Sequence, residues 1–199
     1  MKKIAVFASG RGSNFEAILK KTRQSRLKAE ICLVVSGNPS AVALETAGRE
    51  GIPCHIQTPA ETGEELLALL KRHGVDLILL CGYMRKIPAV VVAAYPNAIM
   101  NIHPALLPAF GGKGCYGIHV HEKVIESGAR ITGVTVHFAD LEYDQGPIIL
   151  QRAVEVRDDD TPRILQARVL KTEHDVYWRA VDLVVRGKVR VEGRRVLRT

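Results

Sequence analysis

The chain has 199 residues, of which 47% are hydrophobic and 25% are charged, and its formal net charge is +7. This length suits one domain with a sizeable core, and no apolar run is long enough to span a membrane. The basic excess admits nucleic-acid binding, but no recognition motif or aromatic-interleaved basic patch accompanies it, so we expect no nucleic-acid partner. The apolar stretch after Met1 ends too early for a secretory signal peptide, which favours a cytoplasmic protein.

The first half of the chain alternates short apolar strands with helical patterns. Strands are predicted over residues 4–8, 29–35, 75–81 and 98–102, and helices over residues 15–23, 41–50, 64–73 and 88–94. Such a βαβαβ alternation predicts an α/β fold with a doubly wound, Rossmann-like and mostly parallel sheet. Within one domain over residues 1–199, we expect residues 1–102 to form a phosphate-binding βαβ half.

The second half of the chain has a different pattern. Strands are predicted over residues 131–138 and 148–156, helices over residues 120–127 and 162–185, and a terminal hairpin over residues 189–197. Thr161 and Pro162 supply the cap and the first-turn proline that commonly begin a helix. This half therefore predicts an antiparallel C-terminal extension of the sheet.

The four cysteines are Cys32, Cys54, Cys81 and Cys115, and none forms a Cys-x-x-Cys pair. Three of them lie in or beside apolar segments, so we interpret them as buried thiols of a reducing compartment. Cys115 lies in a glycine-rich loop and is expected to be more exposed.

A glycine-rich turn, SGRGSN at residues 9–14, joins the first predicted strand to the first helix. Glycine lets the backbone approach an anion, and the N-terminus of the following helix supplies N–H groups and a positive dipole. Phe15 stands where a dinucleotide fingerprint needs glycine, and the Walker pattern is absent. The turn is therefore typical of a mononucleotide or sugar-phosphate site. The alternative is an ordinary turn in which Ser13 or Asn14 caps the helix.

An amide and an imidazole lie close together at the end of a predicted strand, in the run NIHPALLP at residues 101–108. Residues two apart on a strand point to the same face, so Asn101 and His103 are predicted to be neighbours. Pro104 ends the strand, at the edge where open α/β sheets bind ligands. An amide that stabilises an oxyanion beside a histidine that moves a proton is suited to acyl transfer. The alternative is a capping asparagine and a core histidine.

A carboxylate follows in the loop between the two strands of the second half. Asp144 precedes Gly146-Pro147, where this loop turns back into a strand. From there it is able to reach His103, raise the pKa of the imidazole and orient the ring. The alternative is a turn aspartate that bonds its own backbone.

These motifs together give the chain a resemblance to the phosphoribosylglycinamide formyltransferase family, folate-dependent enzymes of purine synthesis. The matching segments run in family order over nearly the whole chain. They are residues 9–14, 84–87, 101–108 and 135–138, Asp144 with Gly146-Pro147, and Glu173-His174 followed by Tyr177. The Asn-Ile-His-Pro run marks the wider formyltransferase group, and the Gly-Ser-Asn turn narrows the resemblance to this family.

The resemblance implies a role for each matching residue, and it makes residues 103–199 the catalytic and folate-binding half. The residues implied to bind the ribonucleotide are Gly12, Ser13 and Asn14 at the phosphate and Glu173 at the glycinamide end. Those implied to bind the folate are Met84, Arg85, Lys86, Ile87, Asn101 and Asp140. Those implied in catalysis are Asn101, His103 and Asp144, with Thr135 and His137 supporting them around Asp144.

Two features of residues 111–121 lie outside this set. Residues 111–117 are a short insertion relative to the common family pattern, and four of the seven are glycine. We expect either a lid or rim beside the site, or a solvent-facing insertion without a role. His119 and His121 have the spacing of a metal pair, but the family has a similar His-x-His and needs no metal, so we expect a structural role and no metal.

The implied reaction is transfer of a formyl group from the cosubstrate 10-formyltetrahydrofolate to the amine of 5'-phosphoribosylglycinamide in de novo purine (IMP) biosynthesis. These small molecules are the implied partners of a monomer or homodimer. A formyltetrahydrofolate hydrolase shares the catalytic trio but usually carries an added N-terminal domain, and a methionyl-tRNA formyltransferase carries an added C-terminal one. A non-enzymatic nucleotide-binding module explains the turn and the charge but not Asn101, His103 and Asp144 together.

Overall fold

The structure, a computed structural model, describes residues 1–199 and contains nine strands and six helices. The strands are β1 (Lys2–Phe7), β2 (Ala29–Ser36), β3 (Cys54–Ile56), β4 (Leu77–Leu80), β5 (Ile99–His103), β6 (Ile131–Phe138), β7 (Ile148–Glu155), β8 (Val189–Glu192) and β9 (Arg195–Arg198). The helices are α1 (Ser13–Arg23), α2 (Val42–Arg49), α3 (Gly63–Arg72), α4 (Ala89–Ala94), α5 (Ile118–Glu126) and α6 (Pro162–Val185). The chain divides into two compact units, Met1–Asn101 and Ile102–Thr199.

In the first unit the strand order is β3-β2-β1-β4-β5, and every pair is parallel. The chain runs outward from β1 through β2 to β3 and then returns to β4 on the other side of β1. Ligands of open α/β sheets bind outside the carboxyl ends of the strands at such a reversal. The turn at residues 9–14 follows β1 directly, so the sheet topology places it at this point.

The strands of the first unit are apolar along nearly their whole length. β4 is buried at all four positions and β1 from Ile4 to Phe7. Helix α1 buries Phe15 and Ile18, and a Thr62–Glu65 capping box begins α3. Continuous apolar runs of this kind are typical of parallel strands covered on both faces.

In the second unit β6 and β7 are antiparallel, β7 and β9 are parallel, and β9 and β8 are antiparallel. The hydroxyl of Thr161 accepts a hydrogen bond from the Ile164 backbone N–H (3.3 Å), and Pro162 begins α6 as predicted. Helix α6 packs against α5, β6 and β7 and buries Val169, Tyr177 and other apolar side chains along one stripe. The core of this unit therefore lies between α6 and the β6–β7 pair.

The predicted fold class is confirmed, since the mostly parallel strands are followed by antiparallel C-terminal strands. Each predicted element is present with ends shifted by a few residues at most. Strand β3 was not predicted, because it has only three residues, all partly exposed at the sheet edge. None of the helices is long and apolar enough to cross a membrane.

One local prediction was wrong, and one alternative is not realised. Cys54 is exposed, because it begins the edge strand β3, whereas Cys32 and Cys81 are buried. Neither Ser13 nor Asn14 caps α1: Gly12 occupies the cap position with a left-handed backbone (φ 72°), and no side chain bonds the helix end. Gly12 suits this position because a left-handed backbone costs glycine little.

Candidate active site

Asn101 and His103 lie two positions apart near the end of β5, so strand alternation places their side chains on one face. Asn101 is half-buried, and His103 is only 3% exposed. Ile99 and Met100, which precede them, are completely buried and fix the strand in the core. The strand thus delivers an amide and an imidazole to its carboxyl end, as the sequence predicted.

Both ring nitrogens of His103 face acceptors. Nε2 lies 2.8 Å from the backbone carbonyl oxygen of Phe110, and Nδ1 lies 3.5 Å from Oδ2 of Asp144. A carbonyl oxygen accepts only, so the first contact places a proton on Nε2. The neutral ring would then turn its Nδ1 lone pair toward a carboxylate, whereas the imidazolium donates at both ends. The hydrogen-bonding environment therefore favours the charged ring.

Asp144 is held by contacts on both carboxylate oxygens. Oδ2 accepts a hydrogen bond from the Gly112 backbone N–H (2.9 Å), and Oδ1 lies 3.5 Å from Nε2 of His137. Its backbone is left-handed (φ 58°), which aspartate tolerates better than most residues. Nearby, a Cβ on Gly146 would lie 1.7 Å from the Phe138 carbonyl oxygen, so only glycine permits this loop path. The loop aspartate thus contacts two histidines.

Burial and charge act on His103 in opposite directions. Burial lowers the pKa of the imidazole, Asp144 and the Phe110 carbonyl raise it, and His137 lowers it again. The pKa of His103 ends below its ordinary value, because the burial effect is the largest. The predicted upward effect of Asp144 on the pKa of His103 has the correct sign, and burial opposes it more strongly.

The carboxylate of Asp144 is favoured in its ionised form. Burial alone raises the pKa of Asp144, but the hydrogen bond from His137, the charge of His103 and the Gly112 N–H together outweigh it. Its pKa therefore lies below the ordinary range, and the group carries a negative charge at neutral pH. A buried negative charge of this kind stabilises an adjacent imidazolium.

His119 and His121 do not form a metal pair. Residues two apart on a helix face different directions, and here His119 is exposed and contacts Glu122 at 2.9 Å. His121 is 1% exposed, and its Nδ1 has no hydrogen-bond partner. Burial lowers the pKa of His121 to about 4, with the charge of His103 acting in the same direction, so the ring is neutral at pH 7. No group of three or more His, Cys, Asp and Glu side chains is arranged to hold a metal ion.

Thr135 is a hydrogen-bonding node beneath the segment that follows His103. Its completely buried hydroxyl donates to the Ala105 carbonyl (2.7 Å) and accepts from the Leu107 backbone N–H (3.0 Å). Gln151 Nε2 also contacts this hydroxyl (3.0 Å) and donates to the Leu107 carbonyl (3.0 Å). Thr135 therefore supports the site through the backbone of residues 105–107.

We expect Thr135→Val to lower the free energy of unfolding by about 2–4 kcal/mol, because valine leaves the Leu107 N–H and the Ala105 carbonyl without this partner. Thr132 offers a matched control on the same strand, since its hydroxyl is buried without a hydrogen-bond partner. Thr132→Val is expected to leave stability unchanged or slightly higher. Equal urea midpoints for the two variants would contradict the assigned role of Thr135.

The turn at residues 9–14 comes close to α2. A Cβ on Gly12 would lie 2.7 Å from the Cβ of Ala43, and the Ala43 backbone N–H donates to the Gly10 carbonyl (3.2 Å). Asn14 is 8% exposed and Ser13 is half-buried in the first turn of α1. The turn therefore leads directly into the N-terminus of an eleven-residue helix, and anion binding there remains a prediction.

Residues 84–87 form a loop between β4 and α4. Met84 and Lys86 are exposed and Ile87 is buried, while the Met84 backbone N–H donates to Ser9 Oγ at 2.9 Å. The Arg85 guanidinium donates to two backbone carbonyls instead of projecting into solvent. The loop thus presents a mixed apolar and cationic edge, which keeps a folate contact as a prediction.

Two further predicted site residues lie on α6 and in the loop between β6 and β7. Glu173 is buried on α6 at 8% exposure. Asp140 is exposed, and its Oδ1 accepts a hydrogen bond from the Glu142 backbone N–H (2.9 Å), as in a simple turn. Their implied ligand contacts remain predictions.

The glycine-rich insertion begins beside the His103–Asp144 pair. A Cβ on Gly111 would lie 2.5 Å from Cδ2 of Leu107 and 3.3 Å from the Cβ of Asp144, so the approach requires glycine here. The carbonyl of Phe110, just before the insertion, contacts His103, and the backbone N–H of Gly112, within it, donates to Asp144. The first residues of the insertion fit a rim beside the site, whereas Lys113, Gly114 and Tyr116 are exposed, so a lid and a solvent-facing insertion both remain predictions.

Sequence reasoning missed the backbone groups of Phe110 and Gly112 and the side chain of Gln151. Backbone groups carry no residue-type signal, although the adjacent glycines indicate a close approach. Gln151 lies within a predicted strand, and nothing in the strand pattern distinguishes it from its neighbours. These three contacts complete the environment of the site.

Comparisons with known proteins identify the family of the chain. A family model described as formyl transferase matches residues 2–181. The chain is 43% identical over 196 residues to the chloroplastic phosphoribosylglycinamide formyltransferase of Arabidopsis thaliana, covering 95% of this chain and 67% of that protein. It is 40% identical over 183 residues to the phosphoribosylglycinamide formyltransferase of Bacillus subtilis, covering 89% and 91%. The chain thus spans about two thirds of the plant relative's length and most of the bacterial one.

The same similarity holds among solved structures. The crystal structure of glycinamide ribonucleotide transformylase 1 from Symbiobacterium toebii superposes with a TM-score of 0.93 at 39% sequence identity. The match covers 100% of this chain and 94% of that chain.

Proposed function

The chain belongs to the formyl transferase family, among the phosphoribosylglycinamide formyltransferases, and from this premise we propose that it transfers a formyl group from 10-formyltetrahydrofolate to the amine of 5'-phosphoribosylglycinamide. The protein is accordingly a transferase of purine biosynthesis. The observation that carries the proposal is the buried His103 between Asp144 and the Phe110 carbonyl, on the strand that also bears Asn101.

In the proposed reaction, the neutral substrate amine attacks the formyl carbon and a C–N bond forms. Negative charge develops on the former carbonyl oxygen, where Asn101 and His103 donate hydrogen bonds. The bond from the formyl carbon to N10 of the folate then breaks. The amine loses one proton and N10 gains one, so tetrahydrofolate leaves neutral at that nitrogen.

The geometry suggests which hydrogen of His103 serves the reaction. Nδ1 is directed at Asp144, so the N–H on Nε2 is the one for the formyl oxygen. That hydrogen now points to the Phe110 carbonyl, and the formyl oxygen would take the place of this acceptor. Asp144 orients the ring and favours its charged form while the acceptor changes.

The phosphate of the ribonucleotide is proposed to bind at Gly12, Ser13 and Asn14. Their support is the close backbone turn and the N-terminal dipole of α1. Glu173 is proposed for the glycinamide end, and residues 84–87 with Asp140 for the folate. We expect a cytoplasmic monomer or homodimer that needs no metal and binds no nucleic acid.

We expect Gly12→Ala to raise the KM for the ribonucleotide about tenfold, equivalent to about 1.4 kcal/mol, with little change in the KM for the folate. The added Cβ collides with Ala43 and strains a left-handed backbone. Gly48→Ala, outside the turn, is the control, because its Cβ meets no atom within 4 Å. Steady-state kinetics with each substrate varied will test this, and equal KM changes for both substrates would argue against the assigned phosphate site.

A substrate-omission assay tests the proposed function. Purified protein is incubated with both substrates, then with each one left out, and formylated ribonucleotide and free formate are quantified. We expect the formylated ribonucleotide only in the complete mixture. Formate released without the ribonucleotide would indicate a hydrolase, and no turnover in any mixture would indicate a binding module.

A further inference from the structure

The side chain of Arg85 joins three loops at the carboxyl edge of the first unit. Its Nη1 donates to the Gln57 backbone carbonyl (2.7 Å) and its Nη2 donates to the Gly37 backbone carbonyl (3.0 Å). Gly37 follows β2, Gln57 follows β3 and Arg85 lies beyond β4. One side chain therefore connects the loops that follow three strands, β2, β3 and β4, of the order β3-β2-β1-β4. We name Arg85, Gly37 and Gln57 the guanidinium clamp.

Gln57, one of the two acceptors in the guanidinium clamp, is itself held by further contacts. Gln57 is 7% exposed, its backbone N–H donates to the Ser36 carbonyl (2.8 Å), and its side-chain oxygen accepts from the Tyr83 hydroxyl. The ring of Tyr83 packs edge-on against Phe7 with centroids 5.2 Å apart. The Gln57 carbonyl that accepts from Arg85 is therefore held in place by contacts at the edge of the sheet.

Gly37 is matched to the guanidinium by its size. A Cβ at this position would lie 2.4 Å from Nε of Arg85 and 2.5 Å from its Cζ. The backbone of Gly37 is not left-handed, so other residues would fit its conformation. The close approach of Arg85 thus explains why glycine occupies position 37 in this structure.

Residues 84–87 depend on such contacts because they form neither helix nor strand. On one side, the Met84 N–H bonds Ser9 Oγ next to the phosphate turn. On the other, Arg85 bonds the loops after β2 and β3. A planar guanidinium bridges two carbonyls in a fixed geometry that the single ammonium of lysine does not reproduce.

We propose that Arg85 is a positioning residue for the formyl donor. It acts through the Gly37 and Gln57 carbonyls to hold residues 84–87 in the conformation that accepts the folate, and its guanidinium is not itself the ligand contact. This inference rests on the proposed function, because residues 84–87 are the segment proposed to bind the folate.

The test compares Arg85→Lys, Gly37→Ala and the double variant in steady-state kinetics. Arg85→Lys keeps the charge but loses the two-carbonyl bridge, and Gly37→Ala keeps the arginine but displaces it. We expect each to raise the KM for 10-formyltetrahydrofolate about tenfold, with kcat changed less than about threefold. The double variant should resemble Arg85→Lys, because both changes break one unit.

Matched controls and a second measurement secure the interpretation. Arg72→Lys on the exposed face of α3 and Gly48→Ala, where a Cβ meets no atom within 4 Å, should leave both KM values unchanged. Hydrogen exchange without ligand should be faster at residues 84–87 in Arg85→Lys than in the wild type, with the core strands unaltered. Hydrogen exchange reports on residues 84–87 whether or not the variant is active.

Three outcomes would overturn the inference. An unchanged folate KM in Arg85→Lys would mean that charge alone suffices. A raised KM in Arg85→Lys with a normal one in Gly37→Ala would point to direct contact of the arginine with the ligand. Additive effects in the double variant would do the same. Absence of formyl transfer by the wild type would instead count against the proposed function.

Discussion

Replacing Asp144 with asparagine is expected to lower kcat by roughly 10²–10⁴, the range for removing a group that controls proton transfer. Asparagine preserves the shape but removes the negative charge 3.5 Å from Nδ1 of His103. Because Asp144 raises the pKa of His103 against the effect of burial, its loss lowers that pKa further. Less imidazolium is then present at neutral pH.

The pH dependence of this variant follows from the directions of the pKa shifts of His103 and Asp144. In the wild type, activity should fall as rising pH deprotonates His103, and it should fall in acid as Asp144 is protonated below its ordinary pKa. Asp144→Asn should shift the alkaline limb to lower pH. An NMR titration that gives His103 the same pKa in both proteins would contradict the pairing. Asp159→Asn, at an exposed position, is the control and should leave kcat unchanged.

Replacing His103 or Asn101 with alanine is expected to lower kcat about 10²–10³, as for loss of one oxyanion donor. The KM for either substrate should change much less, because the interactions are made chiefly in the transition state. The measurement is steady-state kinetics on purified variants whose circular dichroism matches the wild type.

His73→Ala is the control for these variants, because His73 ends α3 in the first unit and has no assigned role. It should retain wild-type kinetics. Near-normal kcat in His103→Ala would remove the imidazole from the proposed mechanism, and the same result in Asn101→Ala would remove the amide.

Much of the site was predictable because its side chains sit at points of strong local signal. A buried strand ended by proline places His103, and a Gly-Pro turn before the next strand places Asp144. The turn after β1 was predictable from its glycines. In each case the hydrophobic periodicity predicts the element, and a glycine or proline predicts where it ends.

The remainder depends on contacts that no local pattern encodes. The Phe110 carbonyl on His103 is a backbone group brought back by a loop, and its chemistry is the same for any residue at that position. The burial that lowers the His103 pKa is a property of the packed unit, so the sequence suggested only the opposing effect of Asp144. Arg85 was assigned to the ligand by resemblance, whereas its geometry directs it to two carbonyls.

The most direct test of the account follows an isotopically labelled formyl group in single-turnover reactions of the wild type and Asp144→Asn. We expect the wild type to move the label from 10-formyltetrahydrofolate to the amine of the ribonucleotide, and Asp144→Asn to do so more slowly by roughly 10²–10⁴. Label recovered as free formate in the wild type, or transferred equally fast by both proteins, would contradict it.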